Sequence, residues 1–540
     1  MTTDGWTYAD VWEAVAARFP DARALVHGDR TITWQDFDRR ANGVAHTLLE
    51  AGLGRQAKVA QYQRNSPAYL EVLSACFKAS LVPVNTNYRY VDDELRYLWT
   101  NSDSEAVVFD AEFTETVDRL RGELTDVKAW IRVGDDASCP DWAVPYERAA
   151  ASHPERVEGP WGRSGDDLYL LYTGGTTGQP KGVMWRQDDL FRMLEVSQGT
   201  ELPEPPDPEG FVAALERPGV TALPAAPLMH GTACWFVLPI LSRGGCAVTL
   251  TKASLDAVEL LDTVVREGVK GVCIVGEAFA RPMLKELEAH PGRWDLSGLR
   301  VLFSSGAMLG QESKRKILEH APKVKVVDGL GSSESGTLAR SVTDDPSAAK
   351  TATFKLSPTA RVIDEDGNDV VPGSGQRGLL AVGGHIPLGY YNDPEKTAAT
   401  FRTIGGRRYV VAGDWATLDE DGTITLLGRG SSCINTAGEK VYPEEVEEVL
   451  KAFPGVADAG VVGVPDERFG EAVTAVVQLE PGASVDEAAL IAHAKAHLAH
   501  YKAPKRVIVA EAFPRGPNGK LDHKALRAQA VEAVRPATGR

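Results

Sequence analysis

YTGGTTGQPKG, running from Tyr172 to Gly182, packs four glycines, three threonines and one lysine into eleven residues. It follows DLYLL (Asp167–Leu171), an apolar run that reads as a strand. Glycines let backbone N–H groups turn toward an anion, hydroxyls add donors, and Lys181 adds charge. The spacing is not G-x-x-x-x-G-K-[ST], because Lys181 follows Pro180 and precedes Gly182. A Gly/Thr segment is more often a plain turn. At this length, and with this lysine, a phosphate-binding loop is the better reading.

Outward from the loop, short β-branched segments alternate with helix-period ones. AVVFD (106–110), KAWIRV (128–133), GVCIVG (271–276), LRVLFSSG (299–306) and VKVVDGLG (324–331) read as strands. LDAVELLDTVVREG (255–268) and ESKRKILEHA (312–321) read as helices. The alternation predicts an α/β fold with largely parallel sheets. Near the start, a helix is expected over Val11–Phe19, then a hairpin turning at Gly28-Asp29. Thr33 and Asp36 fit a capping pair for a helix through Phe37, Ala41, Val44 and Leu48, ending near Gly52. ELPEPPDPEG (201–210) reads as a mobile surface loop.

GRGSSCINTAGEKVYP (428–443) is small, polar and turn-rich, and bounds a domain. Beyond it a helix opens at Pro443 with Val446, Val449, Leu450 and Phe453 on one face. A strand, AVTAVVQL (472–479), follows. A further helix is expected to be capped by Ser484 and Glu487, with Leu490, Ile491, Ala494 and Leu498 inward. The expected architecture is a large N-terminal domain of layered sheets and helices with subdomains, plus a small mobile α+β C-terminal domain. The division falls between 1–429 and 430–540.

The 540 residues are 43% hydrophobic and 25% charged, which excludes a disordered chain, a collagen-like fibre and a small disulfide scaffold. A net charge of −17 opposes general binding to nucleic acid or an anionic membrane. It leaves room for a local pocket holding one anionic nucleotide. The six cysteines include no C-x-x-C pair, so they read as buried or incidental thiols. No apolar run approaches the ~18 residues of a membrane helix, and the N-terminus lacks a basic start followed by an apolar core. A cytoplasmic protein is expected. Residues 501–540 carry nine Lys/Arg against three Asp/Glu, which suits a lid closing over phosphates.

The loop resembles the signature of the AMP-forming acyl-CoA synthetase superfamily, which includes acyl- and aryl-CoA ligases, firefly luciferase and peptide-synthetase adenylation domains. Seven further segments resemble the family's motifs in its order: PLMHGTA (227–233), SSGAML (304–309), DGLGSSE (328–334), GYYNDPEKTAATF (389–401), AGDWA (412–416), LGRGSSCINTAGEKVYPEEVE (427–447) and PRGPNGK (514–520). Met308 stands where proline is usual, Leu330 for tyrosine and Ser333 for threonine. VMWRQDDLF, NYRYVDDELRYL and VGEAFARPML are similar to actinobacterial fatty-acyl and steroid-side-chain acyl-CoA synthetases.

The resemblance implies a ligase that activates a bulky hydrophobic acid as acyl-AMP with ATP and Mg²⁺, then transfers it to coenzyme A. Fatty, steroid-derived and polycyclic terpenoid acids all suit it. The implied phosphate loop comprises Thr173, Gly174, Gly175, Thr176, Thr177, Gly178 and Lys181. The implied nucleotide site adds Ser305, Gly306 and Ala307, then Asp328, Gly329, Leu330, Gly331, Ser332 and Ser333, and Asp414 and Arg429 for the ribose or phosphate. Glu334 is the implied metal ligand; a lone Ser-Glu pair would otherwise read as a helix start. His230 would lie between carboxylate and nucleotide, with Gly231, Trp235 and Ser304 along the acid. Elsewhere, such a histidine is more often a satisfied core residue. Asn435, Gly438, Glu439 and Lys440 would adjoin coenzyme A. Lys520 would bridge carboxylate and α-phosphate during adenylation only, since the family rotates its small domain between half-reactions.

The partner is then a small-molecule carboxylic acid, with no nucleic acid and no integral membrane segment; a homodimer stays open. One alternative is a member specialised to a single half-reaction, either making acyl-CoA from preformed acyl-AMP or adenylating for another acceptor. A carrier-protein adenylating enzyme has no fused carrier domain in its favour. A non-enzymatic nucleotide-binding regulator is disfavoured by retention of Lys181, Glu334, Asp414 and Lys520 together.

Overall fold

Thr33 Oγ1 accepts the Asp36 N–H at 3.1 Å and opens the helix Trp34–Glu50, as the capping pair predicts. The hairpin before it forms from strands Arg23–His27 and Arg30–Thr33, joined at Gly28 with φ +58°. The first helix begins earlier than expected, at Tyr8, because Thr7 caps it by accepting the Asp10 N–H. The computed structural model describes residues 5–174, 179–307, 309–348, 353–429, 434–441, 443–480, 482–514 and 523–534.

The chain divides into two compact units. One comprises Met1–Tyr88, Trp99–Tyr172 and Gly182–Leu427; the other comprises Arg89–Leu98, Thr173–Lys181 and Gly428–Arg540. In the larger sheet of the first unit, strands 23–27, 246–249, 221–224, 271–274, 301–305 and 325–332 lie side by side and parallel. After Ser332 the pattern changes. Lys325–Ser332 and Gly336–Thr343 form an antiparallel hairpin, and the pairings among the described residues beyond it are antiparallel too. The expected parallel sheet therefore accounts for six of the fifteen strands that the described residues form in this sheet. Parallel pairing needs a crossover helix, and the chain beyond 343 turns instead at short polar segments such as Asp364–Gly367 and Gly405-Gly406.

A second sheet orders strands 180–186, 168–174, 82–85, 58–62, 104–110, 129–133 and 144–145, with Gly389–Tyr390 antiparallel to 180–186 at its edge. Each strand expected from the sequence is present within a few residues.

Helices Ala257–Arg266, Gly276–Ala289 and Gln311–His320 lay Leu260, Leu261, Val264, Met283 and Ile317 over Val248, Val272, Leu302 and Val326. Each such side chain contributes roughly 1.5–3 kcal/mol on burial. Another core gathers Trp6, Trp12, Trp34, Phe77 and Phe191. Behind it, Lys78 Nζ lies 2.7 Å from Glu13 and 2.6 Å from Asp38, and Arg163 pairs with Glu13 and Asp10. Burial alone would raise the Glu13 carboxyl, but Arg163 and Lys78 hold it at about 2.

The Pro-rich stretch is irregular only to Asp207. Pro208 occupies the first turn of the helix Pro208–Ala213, and Asp207 caps it through the Gly210 N–H, so the last residues of the expected loop are helical.

The second unit carries a five-stranded sheet built from 434–436, 439–441, 456–466, 470–479 and 506–509. Helix Pro443–Lys451 buries Val446 and Leu450 as expected. The helix Glu487–His497 is capped by Asp486, not Ser484: Asp486 accepts the Ala489 N–H, while Glu487 accepts the Val507 N–H at 2.8 Å. The five described cysteines are free, and all but Cys139 are buried. Among the described residues no helix is long and apolar enough to cross a membrane.

Candidate functional site

Several residues expected at the site lie where parallel strands of the first unit end. Ser305, the last residue of strand 301–305, is in register with Gly329 on strand 325–332, and Ser305 Oγ donates to the Gly329 carbonyl at 2.7 Å. The register brings Ser305, with Gly306 and Ala307 directly after it, to Gly329, 24 residues further along the chain. Open α/β sheets bind ligands beyond such strand ends. Gly306 has φ +85°, and a Cβ there would lie 3.5 Å from Thr232 Oγ1, so this strand end packs beside the turn that carries His230. Gly331 admits no side chain: a Cβ would stand 2.1 Å from the Gly336 carbonyl oxygen.

Glu334 sits in the turn between strands Lys325–Ser332 and Gly336–Thr343. Ser332 Oγ accepts the N–H groups of Glu334 and Ser335, which closes the turn. Two side chains from the second sheet fix it from outside. Trp185, on strand Pro180–Arg186, donates its indole N–H to the Ser333 carbonyl at 2.9 Å. Tyr390, on the neighbouring strand Gly389–Tyr390, donates its hydroxyl to Glu334 Oε1 at 2.8 Å. Lys181 belongs to the same strand as Trp185, four residues earlier. The strand Pro180–Arg186, which follows the expected phosphate loop, thus carries the group that anchors the Glu334 turn.

His230 occupies the N-cap position of helix Gly231–Ser242. Trp235 on this helix meets Trp185 edge-on, with ring centroids 5.6 Å apart. Phe236 stacks on Phe303 at 5.9 Å. These rings join the His230 helix to both sheets.

Other expected residues stand as follows. Ser304 is fully buried and its Oγ accepts the Gly276 N–H, so its hydroxyl is committed to the strand end of 271–274. Asp328 is buried with its carboxylate 3.0 Å from Lys314 Nζ. Burial raises its carboxyl above the ordinary value, with Lys314 opposing. Leu330 packs against the core and pairs with Ala339. Asp414 is half-buried and opens the strand Asp414–Leu418. Thr173 and Gly174 end the strand Leu168–Gly174, while Gly175, Thr176, Thr177 and Gly178 lie outside the described residues, as do Met308 and Lys520. The Arg429 and Lys440 side chains are likewise outside the description.

In the second unit, Asn435 is exposed on strand Ile434–Thr436. Gly438, with φ +85°, turns the chain into strand Glu439–Val441. Glu439 is buried and paired with Arg89.

Sequence reasoning did not single out Trp185, Tyr390, Asn65 or Asn85 as site residues. Tyr390 lay inside a recognised motif without a role. Asn85 gave one weak signal, a polar residue closing the apolar strand Val82–Asn85, and Asn65, between strand Lys58–Tyr62 and helix Pro67–Lys78, gave none.

The AMP-binding enzyme family matches residues 12–391, and the AMP-binding enzyme C-terminal domain matches 445–520. The chain belongs to the AMP-binding enzymes. It is 40% identical to the medium-chain acyl-CoA ligase Mig of Mycobacterium avium, over 98% of this chain and 99% of that one. It is also 40% identical to a medium/long-chain-fatty-acid–CoA/3-oxocholest-4-en-26-oate–CoA ligase of Mycolicibacterium smegmatis, over 98% and 97%. Among solved structures, the amide bond synthetase McbA from Marinactinospora thermotolerans superposes with a TM-score of 0.79 at 25% identity, over 97% of this chain and 99% of that one. The actinobacterial acyl-CoA synthetase resemblance read from the motifs and the expected fold class are both borne out.

Proposed function

We propose that the protein is an AMP-forming acyl-CoA ligase for fatty or steroid-side-chain acids, acting in the cytoplasm. The observation that carries this is the anchored Glu334 turn, joined through Trp185 to the strand that begins at Pro180-Lys181. The fatty-acid and steroid names of the 40% identical relatives support the substrate class.

In the first half-reaction a carboxylate oxygen of the acid attacks the α-phosphorus of ATP. The bond to the bridging oxygen breaks, and pyrophosphate leaves. In the second, the coenzyme A thiolate attacks the acyl carbon and AMP leaves. The first step brings anion to anion, so positioned cations and donors supply most of the stabilisation. Lys181 and the loop hydroxyls hold the β- and γ-phosphates. Ser333 donates to the α-phosphate, Asp414 accepts from the ribose hydroxyls, and Lys520 bridges acid and α-phosphate. His230 orients the carboxylate.

Magnesium takes one or two carboxylates and fills its remaining positions with water and phosphate oxygens. The single carboxylate of Glu334 fits that demand, and no group of three or more candidate ligands occurs among the described residues. Glu334 would hold the ion, whose chemistry is to neutralise phosphate charge.

The test is a panel of fatty and steroid acids assayed for ATP–pyrophosphate exchange and for thioester formation. Exchange and thioester with the same acid support the reading. Thioester only from supplied acyl-AMP overturns it in favour of a single half-reaction.

A further inference from the structure

Asn85 closes the strand Val82–Asn85 beside strand Leu168–Gly174 and is 6% exposed. Its side-chain amide makes three hydrogen bonds, two to strand residue Tyr172 and one to Met229. Oδ1 accepts the Tyr172 N–H at 2.6 Å, and Nδ2 donates to the carbonyls of Tyr172 at 2.9 Å and Met229 at 2.7 Å. Tyr172 directly precedes the phosphate loop, and Met229 directly precedes His230. Upstream, Asn65 does the same for the segment before Met229. Its Nδ2 donates to the carbonyls of Pro224 and Ala226, and its Oδ1 accepts the Leu228 N–H. Two asparagines thus supply side-chain hydrogen bonds to backbone groups at strand ends and in the turn before His230.

We propose that Asn85 is a positioning residue that sets the spacing between Tyr172, where the chain enters the phosphate loop, and Met229, which leads into His230. The proposal rests on the functional reading given above, in which that loop and that histidine serve the same reaction. Only a primary amide supplies one acceptor and two donors in this plane. An aspartate in its place would set a carboxylate against two carbonyl oxygens; a leucine would remove all three hydrogen bonds. A misplacement of about 1 Å is enough to cost up to ~100-fold in rate.

The test compares the full-length wild type with Asn85→Asp, in the wild-type and His230→Ala backgrounds. In the wild-type background kcat for exchange is expected to fall about tenfold or more, with KM for ATP changing less than about threefold. In the His230→Ala background the same substitution is expected to cost less than about threefold, since there is no imidazole left to misplace. An equal factor in both backgrounds overturns the proposal. Hydrogen exchange supplies a readout independent of turnover: peptides holding Tyr172 and Met229 should lose protection together while the rest of the unit is unchanged. Unchanged protection at either overturns it. Asn85→Ser replaces the aspartate variant if that fails to fold. If the wild type turns over no acid on the panel, the functional proposal falls, and hydrogen exchange alone still decides whether Asn85 couples the two segments.

Discussion

The Tyr390 hydroxyl lies 2.8 Å from Glu334 Oε1, although the two residues belong to different sheets. The bond holds one carboxylate oxygen and directs the rotamer of the other. Tyr390 is itself fixed by the edge-on ring of Phe401, 5.7 Å away.

Tyr390→Phe keeps that ring packing and removes only the donor. A hydrogen bond to a charged group contributes about 1.5–3 kcal/mol, so the Mg²⁺ concentration for half-maximal exchange should rise about tenfold. Manganese affinity in the presence of ATP, followed by electron paramagnetic resonance, should weaken in parallel. Unchanged values for both would remove Tyr390 from the metal site.

Lys520→Ala should abolish acyl-AMP formation, by a factor of ~100 or more. Thioester formation from supplied acyl-AMP should be retained within a few-fold. Equal loss in the two assays would show that Lys520 does not act in one half-reaction alone.

Gly331→Ala forces a methyl group against the Gly336 carbonyl oxygen, where a Cβ would stand at 2.1 Å. Relief requires the two strands to part beside the Glu334 turn. ATP affinity, measured by calorimetry, should fall about tenfold or more, since a small misplacement at a site of this kind is costly. Gly268→Ala, beyond the helix Ala257–Arg266, is the control, because nothing lies within 4 Å of its Cβ position. Its φ of +62° will lower stability without disturbing the hairpin.

Glu13 predicts a pH dependence. Its carboxyl titrates at about 2 in the folded protein against an ordinary 4.5. Between these values the unfolded chain binds the extra proton, so stability rises with pH. The contribution is complete above about pH 4.5 and lost as pH falls toward about 2; its upper bound is on the order of 3 kcal/mol. Glu13→Gln should therefore be clearly less stable than wild type at pH 7 in urea unfolding, with the gap narrowing toward pH 3. A gap independent of pH would place the effect in packing instead.

Local chemistry was legible in the chain because its signals are short-range. The Thr33–Asp36 cap, the Gly28 turn and the strands around Val107 and Val272 depend on near neighbours, and each formed where periodicity placed it. The second-unit cap moved from Ser484 to Asp486 because Glu487 found a distant partner in the Val507 N–H. The same limit governs the site. Motifs pointed to Glu334, His230 and Lys181, but the groups that hold the Glu334 turn and the segment before His230 come from 56 to 148 residues away in the chain. Trp185 reaches Ser333 and Asn85 reaches Met229 only once both sheets exist. No local pattern distinguishes an asparagine that ends a strand from one that joins two segments.

The Glu334 turn joins two eight-residue strands that are paired on either side of it. Its backbone is ordered when the sheet forms, so nucleotide binding does not have to freeze it. Loops that must order on binding slow association. Here the carboxylate waits in place, and variants that weaken nucleotide binding at this turn should shorten the residence time of ATP while leaving its rate of capture almost unchanged.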